Sequence, residues 1–391
     1  MLDNIKKEKR YRNFINVERD AATFPYVNYE KSQKIIWCTN DYLNQSHRLS
    51  ENTISFIKKY GIGSGGTRNI GGSYPMVANL EHKIADVYEK DRGLIFNSGY
   101  LANEYSLSSL GTNFPNAVFY SDASNHASLI NGIRSANTTK HIFRHNDMNH
   151  LEALLKKDDD ADQQKIIVFQ SIYSMDGSVA PLEELHYIAK KYNALTYCDE
   201  IHALGLYGST GLGMIQKIND DLPRDKQIDI DIVMGGFGKA MGTLGGFVAG
   251  DESIIDMIRL TAHGFIFTTS LPPYIMHSTM ESFGFLGTDE HLKIVNDTLT
   301  KSAYLKERLR HSNIDYLNSP THIIPIMIRD AGKCTKLSNI LLNTHNHYIQ
   351  PINYPTVEKG SERFRLTLTH KHTYAMIDSF IDDLRKESVV F

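Results

Sequence analysis

One lysine lies where covalent chemistry would be possible. Lys239 stands in the segment FGKA, residues 237–240, shortly after an apolar run at residues 230–234. Three nearby glycines leave space around its side chain, and a lysine amine can form a Schiff base with a carbonyl group and then move a proton. The segment is not a P-loop, because its glycine spacing differs and Ala240 stands where Ser or Thr is needed. Taken alone, the pattern fits a surface lysine equally well.

An aspartate and a histidine follow another apolar run. Asp199 ends the run that begins at Ala194, and His202 comes three residues later. An aspartate at the end of a buried strand is costly unless a cation faces it. The protonated pyridine nitrogen of a cofactor would be such a cation, and His202 could contact the ring oxygen. The alternative is a capping aspartate followed by a core histidine.

Two glycine-containing segments are candidates for binding a ligand. The sequence NSGY, residues 97–100, precedes a helical pattern at residues 101–110, and such a helix start exposes N–H groups that suit a phosphate. An ordinary N-cap explains the same residues. The sequence GIGSGG, residues 61–66, matches a dinucleotide fingerprint literally, but a helical stretch at residues 54–60 precedes it where a strand is required. We interpret it as a loop that lines a ligand.

These residues need a sheet that brings them to one edge. Five short β-rich runs alternate with helical patterns in the middle of the chain. The runs are residues 117–120, 165–169, 194–198, 229–234 and 246–249, and the helical patterns include residues 151–157 and 182–191. This alternation predicts an α/β fold with a mostly parallel sheet buried on both faces, and a site beyond the carboxyl ends of its strands.

The last third of the chain predicts a smaller α/β domain. A helical stretch at residues 292–309 leads into an apolar run at residues 323–328, and an amphipathic helix closes the chain. We predict an N-terminal extension over residues 1–45, a catalytic domain over residues 46–283 and a small domain over residues 284–391.

Composition excludes several classes of protein. The chain has 391 residues, is 41% hydrophobic and carries a formal net charge of -3, without a block of like charge that would suit nucleic acid or a membrane surface. Cys38, Cys198 and Cys334 lack the spacing of a disulfide framework or a zinc site. No apolar run suits a signal peptide or a transmembrane helix. We expect a cytoplasmic protein without a metal.

Taken in chain order, these motifs resemble the α-oxoamine synthase family of fold-type I pyridoxal 5'-phosphate (PLP) enzymes, which have an aspartate aminotransferase-like fold. Matching segments also include WCTNDYL at 37–43, GGTRNI at 65–70, SNHAS at 124–128, YSMDG at 173–177, GFIFTT at 264–269 and QPINYPT at 350–356. The resemblance extends from about Tyr11 to Leu384. It is most similar to the members that condense glycine with succinyl-CoA, release CoA and carbon dioxide, and begin tetrapyrrole and heme synthesis.

The resemblance implies roles for the residues that match the family's cofactor site. Lys239 would bind PLP covalently and move the proton, Asp199 would keep the pyridine nitrogen protonated, and His126 would stack on the ring. Further cofactor contacts are implied for Ser171, His202, Ser98, Gly99 and Tyr100 and, across the interface of a homodimer, for Thr268 and Thr269.

Substrate contacts are implied in the same way. Arg365 would hold the carboxylate of the amino acid. Arg12, Asn40 and Thr356 would hold the terminal carboxylate of succinyl-CoA, and contacts to CoA are implied for Ser121, Asn69, Ile70 and Lys140. Thr67 stands where sister enzymes commonly have Ser, and its extra methyl group would crowd amino acids larger than glycine.

Several positions depart from the family pattern. Gly236 stands where Ser or Thr usually contacts the phosphate, Ala123 replaces a Glu, and Gln170 replaces a Glu before Ser171. These departures leave open a diverged synthase that uses another amino acid or acyl-CoA, in secondary metabolism or signal synthesis. A PLP-fold protein retained as a binding or regulatory module is a third possibility, against which the intact lysine, aspartate and histidine argue.

Overall fold

The computed structural model describes residues 2–8, 10–157 and 162–388. The outer ends of the predicted domains, at Met1 and Phe391, lie outside these residues. The chain divides into two compact units, each of which is described by itself. The first unit comprises Met1–His47, Ser174–Ser178 and Lys293–Phe391, and the second comprises Arg48–Tyr173 and Val179–Leu292. The three-part division expected from the sequence stays a prediction.

The elements of the described residues are as follows. The strands are β1 (Glu18–Arg19), β2 (Tyr26–Tyr29), β3 (Ser32–Ile36), β4 (Arg92–Phe96), β5 (Val118–Asp122), β6 (Thr139–Phe143), β7 (Lys165–Gln170), β8 (Leu195–Asp199), β9 (Ile232–Gly236), β10 (Gly246–Gly250), β11 (Ile323–Met327), β12 (His347–Tyr348), β13 (Pro351–Ile352) and β14 (Arg363–Thr367). The helices are α1 (Leu2–Lys7), α2 (Glu51–Tyr60), α3 (Pro75–Val87), α4 (Gly99–Asn113), α5 (Ala127–Ala136), α6 (Met148–Lys157), α7 (Leu182–Lys191), α8 (Met214–Asp220), α9 (Glu252–Thr261), α10 (His263–Ile266), α11 (Pro273–Phe285), α12 (Asp289–His311), α13 (Ala331–Asn343) and α14 (Tyr374–Ser388).

A seven-stranded sheet forms the centre of the second unit. Its order is β4-β10-β9-β8-β7-β5-β6, and the strands from β9 to β6 run parallel. Strands β5, β7, β9 and β10 are buried along their whole length, as expected of apolar strands covered on both faces. The mostly parallel α/β fold predicted from the sequence is confirmed.

Strand β10 is antiparallel to both of its neighbours. Only nine residues connect β9 to β10, which is too short for a crossover helix and is long enough for a hairpin. The connection is closed by the Phe237 amide, which donates to the Gly245 carbonyl at 2.9 Å, and by the Thr243 amide, which donates to the Phe237 carbonyl at 2.9 Å. Lys239 therefore lies on a hairpin loop that follows directly from a buried strand.

Helices α4 and α5 pack closely against each other beside this sheet. A Cβ atom at Gly132 of α5 would lie 2.7 Å from the Glu104 carbonyl oxygen and 2.9 Å from the Leu107 Cβ of α4, so only glycine permits this approach. The apolar core around them includes Leu94, Phe96, Leu107, Leu110, Phe119, Ile133, Val168 and Met234. The close contact fixes α4, whose first residues belong to the predicted phosphate site.

The first unit contains two smaller sheets. Strands β1, β2, β3 and β12 form a four-stranded sheet, in which β12 runs parallel to β3. Strands β11, β14 and β13 form a three-stranded antiparallel sheet. A core that includes Trp37, Leu305, Ile324, Leu341, Phe364, Phe380 and Ile381 packs the helices against them.

None of the helices in residues 2–8, 10–157 and 162–388 has the length and apolar character needed to span a membrane.

Candidate active site

Lys239 acts electrostatically on two other residues predicted for the cofactor site. Its side chain is partly buried, and its carbonyl accepts a hydrogen bond from the Gly242 amide at 3.0 Å, which closes a turn around it. Burial raises the pKa of the Asp199 carboxyl and the positive charge of Lys239 opposes that rise, whereas burial lowers the pKa of the His126 imidazole and the charge of Lys239 adds to that fall. The second unit therefore brings these three residues together.

Asp199 ends β8 and is 3% exposed. Its Oδ1 accepts a hydrogen bond from the Ile201 amide at 2.9 Å, and its Oδ2 accepts one from the Asn103 side-chain amide at 2.7 Å. Burial raises the pKa of Asp199, and these two hydrogen bonds together with the nearby positive charges oppose the rise without cancelling it. A buried carboxylate in this state is stabilised further when a cation faces it.

His126 precedes α5 and caps it. Its Nδ1 accepts a hydrogen bond from the Ser128 amide at 3.2 Å, so this nitrogen carries no proton. Burial lowers the pKa of His126, the charge of Asp199 opposes that shift, and the charge of Lys239 adds to it. The ring of Tyr100 meets the His126 ring edge-on, with 6.3 Å between the ring centroids. The imidazole is therefore a neutral ring held in a fixed orientation.

The predicted phosphate segment begins α4. Ser98 is its N-cap and accepts a hydrogen bond from the Leu101 amide at 3.2 Å. A Cβ atom at Gly99 would lie 2.8 Å from the Ile201 Cδ1 and 2.9 Å from the Met234 Cε, so the first turn has no room for a larger residue. The start of a 15-residue helix supplies N–H groups and the positive dipole end.

Ser171 has a partner that sequence reasoning missed. Its hydroxyl donates to Glu200 Oε2 at 2.6 Å, and the Glu200 carboxylate also accepts the amides of Met214 at 3.0 Å and Ile215 at 2.8 Å. Glu200 is fully buried, and burial raises its pKa to about 7. An acidic residue directly after a buried strand was the available signal. His202, also predicted, is 4% exposed in the turn that follows.

The loop with Thr67 is bound to the segment with the predicted phosphate threonines. Thr67 and Thr269 form an antiparallel bridge, and the Asn97 side-chain amide donates to the Thr269 carbonyl at 2.6 Å. Thr268 is partly buried, whereas Asn69 and Ile70 are exposed. The loop is held further by a paired ion contact between Arg68 and Glu81, with nitrogen–oxygen distances of 2.8 and 3.1 Å.

Two predicted CoA contacts lie on neighbouring strands. Ser121 is buried in β5 and accepts a hydrogen bond from the Asn125 side chain at 3.0 Å. Lys140 is exposed on β6, which is the edge strand and lies three places from β8 in the sheet. The structure therefore does not place Lys140 in the group around Asp199.

In the first unit, Arg365 is 6% exposed on β14 and is bound by neutral groups. Its guanidinium donates to the Asn40 side-chain oxygen at 3.0 Å, to the Tyr42 hydroxyl at 3.0 Å and to the Ser174 carbonyl. A buried cation with neutral acceptors is an attractive partner for an anion. Sequence reasoning missed Tyr42 and Ser174 as partners, although both lie in segments that match the family.

Arg12 and Thr356 also meet in the first unit. The Arg12 guanidinium donates to the Thr356 hydroxyl at 2.6 Å across 344 residues of chain. Arg12 is exposed and lies beyond the end of α1. Asn40 contacts Arg365 instead, and the three residues predicted for one carboxylate therefore have different partners. Among residues 2–8, 10–157 and 162–388, no cluster of His, Cys, Asp and Glu suits a metal ion.

Comparisons with known proteins show the family of the chain. Residues 32–384 match the aminotransferase class I and II family. The chain is 46% identical over 380 residues to 5-aminolevulinate synthase of Rickettsia prowazekii, covering 96% of this chain and 89% of the relative. It is 40% identical over 391 residues to the non-specific, mitochondrial 5-aminolevulinate synthase of Bos taurus, covering 98% of this chain and 59% of the relative. A solved structure of serine palmitoyltransferase from S. paucimobilis with bound PLP–myriocin has a TM-score of 0.86 at 25% identity, covering 96% and 92% of the two chains.

The fold and these matches define a PLP-dependent enzyme of fold type I, as the sequence predicted. The chain belongs to the aminotransferase class I and II family and, within it, to the 5-aminolevulinate synthases.

Proposed function

We propose that this protein condenses glycine with succinyl-CoA and releases CoA and carbon dioxide to form 5-aminolevulinate, the first step of tetrapyrrole and heme synthesis. The observation that carries the proposal is the 46% identity to a 5-aminolevulinate synthase over 96% of the chain. The charges of Lys239 and Asp199, which act on each other and on the His126 ring inside the second unit, support it.

The residues of the second unit fit PLP. Asp199 offers a buried carboxylate for the pyridine nitrogen, and the start of α4 at Ser98 and Gly99 offers amides for the phosphate. His126 offers a neutral ring to stack on the cofactor, and Lys239 offers the amine that would bind its carbonyl carbon. When bound, PLP supplies an electron sink that stabilises negative charge on the carbon beside an amino group.

The chain's own residues then have separate tasks. The Lys239 amine, which is released once the glycine amine has taken its place on the cofactor, would remove the α-proton of glycine and keep it for a later transfer. Arg365, whose guanidinium is oriented by Asn40 and Tyr42, holds the glycine carboxylate until carbon dioxide leaves. The new carbon–carbon bond joins the glycine α-carbon to the thioester carbonyl carbon, and the thiolate of CoA leaves.

Contacts to the acyl donor are part of the proposal. Arg12 and Thr356 would hold the terminal carboxylate of succinyl-CoA, since their mutual hydrogen bond leaves the charge of Arg12 available. The remaining donor contacts proposed are Asn40, Ser121, Asn69, Ile70 and Lys140.

We also propose that the enzyme works as a cytoplasmic homodimer in which Thr268 and Thr269 of each subunit reach the phosphate site of the other. Large apolar side chains around this segment support a covering partner. Phe267 is 74% exposed and Ile70 is 75% exposed, and monomeric surfaces rarely leave such residues clustered.

The proposed reaction is tested by a matrix of acyl-CoA donors and amino acids. Free CoA is measured as the thiol released, and the product is identified by mass. We expect 5-aminolevulinate with glycine and succinyl-CoA, and no release with Lys239→Ala. Faster turnover with an uncharged acyl-CoA or with another amino acid would contradict the proposal and would indicate a diverged α-oxoamine synthase. Failure of the wild-type protein to bind PLP would instead indicate a non-catalytic role.

A further inference from the structure

A buried series of hydrogen bonds joins Asp199 to His126 through Asn103 and Ser128, to which no function has been assigned above. The Tyr197 hydroxyl donates to Asn103 Oδ1 at 3.0 Å. Asn103 Nδ2 donates both to Asp199 Oδ2 at 2.7 Å and to Ser128 Oγ at 3.0 Å. Asn103 is 1% exposed and Ser128 is 0% exposed, so water does not compete for these bonds.

The direction of every bond in this series follows from its ends. An ionised Asp199 only accepts, so the nitrogen of the Asn103 amide must face it and the oxygen must face Tyr197. Both hydrogens of Nδ2 are then used. Ser128 Oγ accepts one of them, which leaves its own hydrogen for His126 Nδ1 at 2.8 Å.

The same bonds determine the state of the His126 ring. Nδ1 faces two donors, the Ser128 hydroxyl at 2.8 Å and the Ser128 amide at 3.2 Å. It therefore carries no proton, and the proton of the neutral imidazole lies on Nε2. A protonated Nδ1 would lose the bond from the Ser128 amide and could keep only the contact with the Ser128 hydroxyl, whose oxygen would then have to accept.

We propose that Asn103 and Ser128 are positioning residues, which hold the Asp199 carboxylate and the His126 ring in the arrangement that binds PLP. The inference rests on the proposed function, because it assigns these residues to the proposed cofactor. Asn103 acts on Asp199 by stabilising the ionised carboxylate. The Ser128 hydroxyl acts on His126 by adding a second donor to Nδ1, beside the Ser128 amide that already selects the tautomer. Both act through another residue and do not touch the reacting atoms.

Three variants and a control test the inference. Asn103→Leu keeps the size of the side chain and removes its donors and acceptor, and Ser128→Ala removes one hydroxyl. The third variant combines both changes. Ser109→Ala is the control, because Ser109 lies on the same helix, is 5% exposed and bonds to Thr261 instead. Measurements are the Kd of the apoprotein for PLP, the pH titration of the visible absorbance of bound cofactor, and the melting temperature.

We expect Asn103→Leu to raise the Kd for PLP by about 10-fold or more, and to shift the pH midpoint of the absorbance titration. Without the amide, Asp199 takes up a proton more readily and holds a pyridinium nitrogen less well. Ser128→Ala should raise the Kd by about 3-fold. In the double variant, the Kd for PLP should rise by less than the product of the two single increases, because Asn103 bonds to both Asp199 and Ser128. The control should keep the wild-type Kd.

Outcomes against the inference are distinct from those against the function. Wild-type protein that does not bind PLP would refute the proposed function. Wild-type protein that binds PLP, with an Asn103→Leu variant that melts normally and has the wild-type Kd and titration, would refute only the inference. If Asn103→Leu does not fold, Ser128→Ala decides, and an unchanged Kd and an unchanged titration in that variant would overturn the proposal.

Discussion

Glu200 shows how this fold keeps a carboxyl group in its interior. Three donors satisfy its two oxygens, namely the Ser171 hydroxyl and the amides of Met214 and Ile215. A Cβ atom at Gly213, where φ is +121°, would lie 2.6 Å from Glu200 Oε2, so the start of α8 can close on the carboxyl group only because this residue is glycine. Even so, burial raises the pKa of Glu200 to about 7 from its usual 4.5.

This pKa predicts a pH-dependent stability. Between about pH 4.5 and pH 7, Glu200 is protonated in the folded state and ionised in the unfolded state. The free energy of unfolding therefore falls as pH rises through this interval. The contribution of this one group to the fall is about 3 kcal/mol in total. Glu200→Gln removes the contribution of this group to the pH dependence of stability. The melting temperature of the variant minus that of wild type should therefore rise with pH across this interval and level off above it.

The control for this measurement is Glu184→Gln, which removes a carboxylate from an exposed position on α7. A difference between Glu200→Gln and wild type that stays constant from pH 5 to pH 8 would show that Glu200 titrates as an ordinary surface group.

Arg12 leads to a prediction about the acyl donor. Arg12→Leu should lower kcat/KM for succinyl-CoA by about 10-fold or more, because a terminal carboxylate loses its cation. It should have a much smaller effect with octanoyl-CoA, which has no terminal charge. Arg10→Leu is the matched control, since Arg10 already pairs with Glu8 at 2.8 Å. Equal losses on charged and uncharged donors would contradict the role of Arg12.

At the scale of elements, strand β9 explains one departure from the family pattern. Gly236 ends β9, and a Cβ atom there would lie 2.3 Å from the Ile201 Cδ1 and 2.6 Å from its Cγ1. The side chain of Ile201 thus occupies the space that a Ser or Thr would need. Position 236 can therefore carry the usual hydroxyl side chain only if the side chain at position 201 shifts or is smaller than isoleucine.

This coupling predicts a compensating pair of substitutions. Gly236→Ser should destabilise the protein by about 1–3 kcal/mol through overpacking. Ile201→Ala removes both crowding atoms, so adding Gly236→Ser to that background should cost much less or should stabilise. The melting temperatures of wild type, the two single variants and the double variant complete this double-mutant cycle. Additive effects of the two substitutions would show that the contact does not limit residue 236.

The elements show where apolar patterning succeeds and where it fails. The run at residues 165–169 was predicted correctly as β7, because all six residues of this central strand are buried and such a strand needs a continuous apolar run. Strand β6, with the sequence TKHIF, was missed because an edge strand buries little and needs no apolar run. Strand β4 was missed for a related reason, since its first residues, Arg92 and Gly93, are not fully buried.

The candidate site was predictable to a similar extent. Lys239 and Asp199 were predicted because each follows an apolar run, and His126 was predicted from its match to the family. The structure brings the three residues together. Asn103 was not predicted, because it lies in the middle of α4 and its partners are 25 and 96 residues away in sequence. Local pattern carries no information about such contacts.

At the scale of the whole molecule, Thr268 and Thr269 could contact the phosphate site of their own subunit or that of the partner subunit. Within its own chain, the Thr269 carbonyl accepts a hydrogen bond from Asn97, which directly precedes the N-cap of α4. The resemblance instead assigns the two threonines to the phosphate site of the other subunit. Subunit mixing distinguishes these two assignments.

We predict that two inactive variants restore activity when they share a dimer. Lys239→Ala lacks the lysine, and the double substitution Thr268→Val with Thr269→Val lacks the threonines. If the threonines serve the other subunit, a mixed dimer has one intact site, and random mixing should return about a quarter of wild-type activity. Separately tagged subunits allow the mixed dimer to be purified. A purified mixed dimer without activity would show that the threonines serve their own chain.

The division of the chain has a consequence for its synthesis. The second unit ends at Leu292, whereas the first unit needs both the opening residues and everything from Lys293 onward. On the ribosome, β3 must therefore wait for its partner β12, some 310 residues later, while the second unit is already complete. Lys239, Asp199 and His126 can assemble in the nascent chain before Arg365 has been translated. Under the roles proposed above, the nascent protein acquires the residues that hold the coenzyme before the residue that selects a substrate.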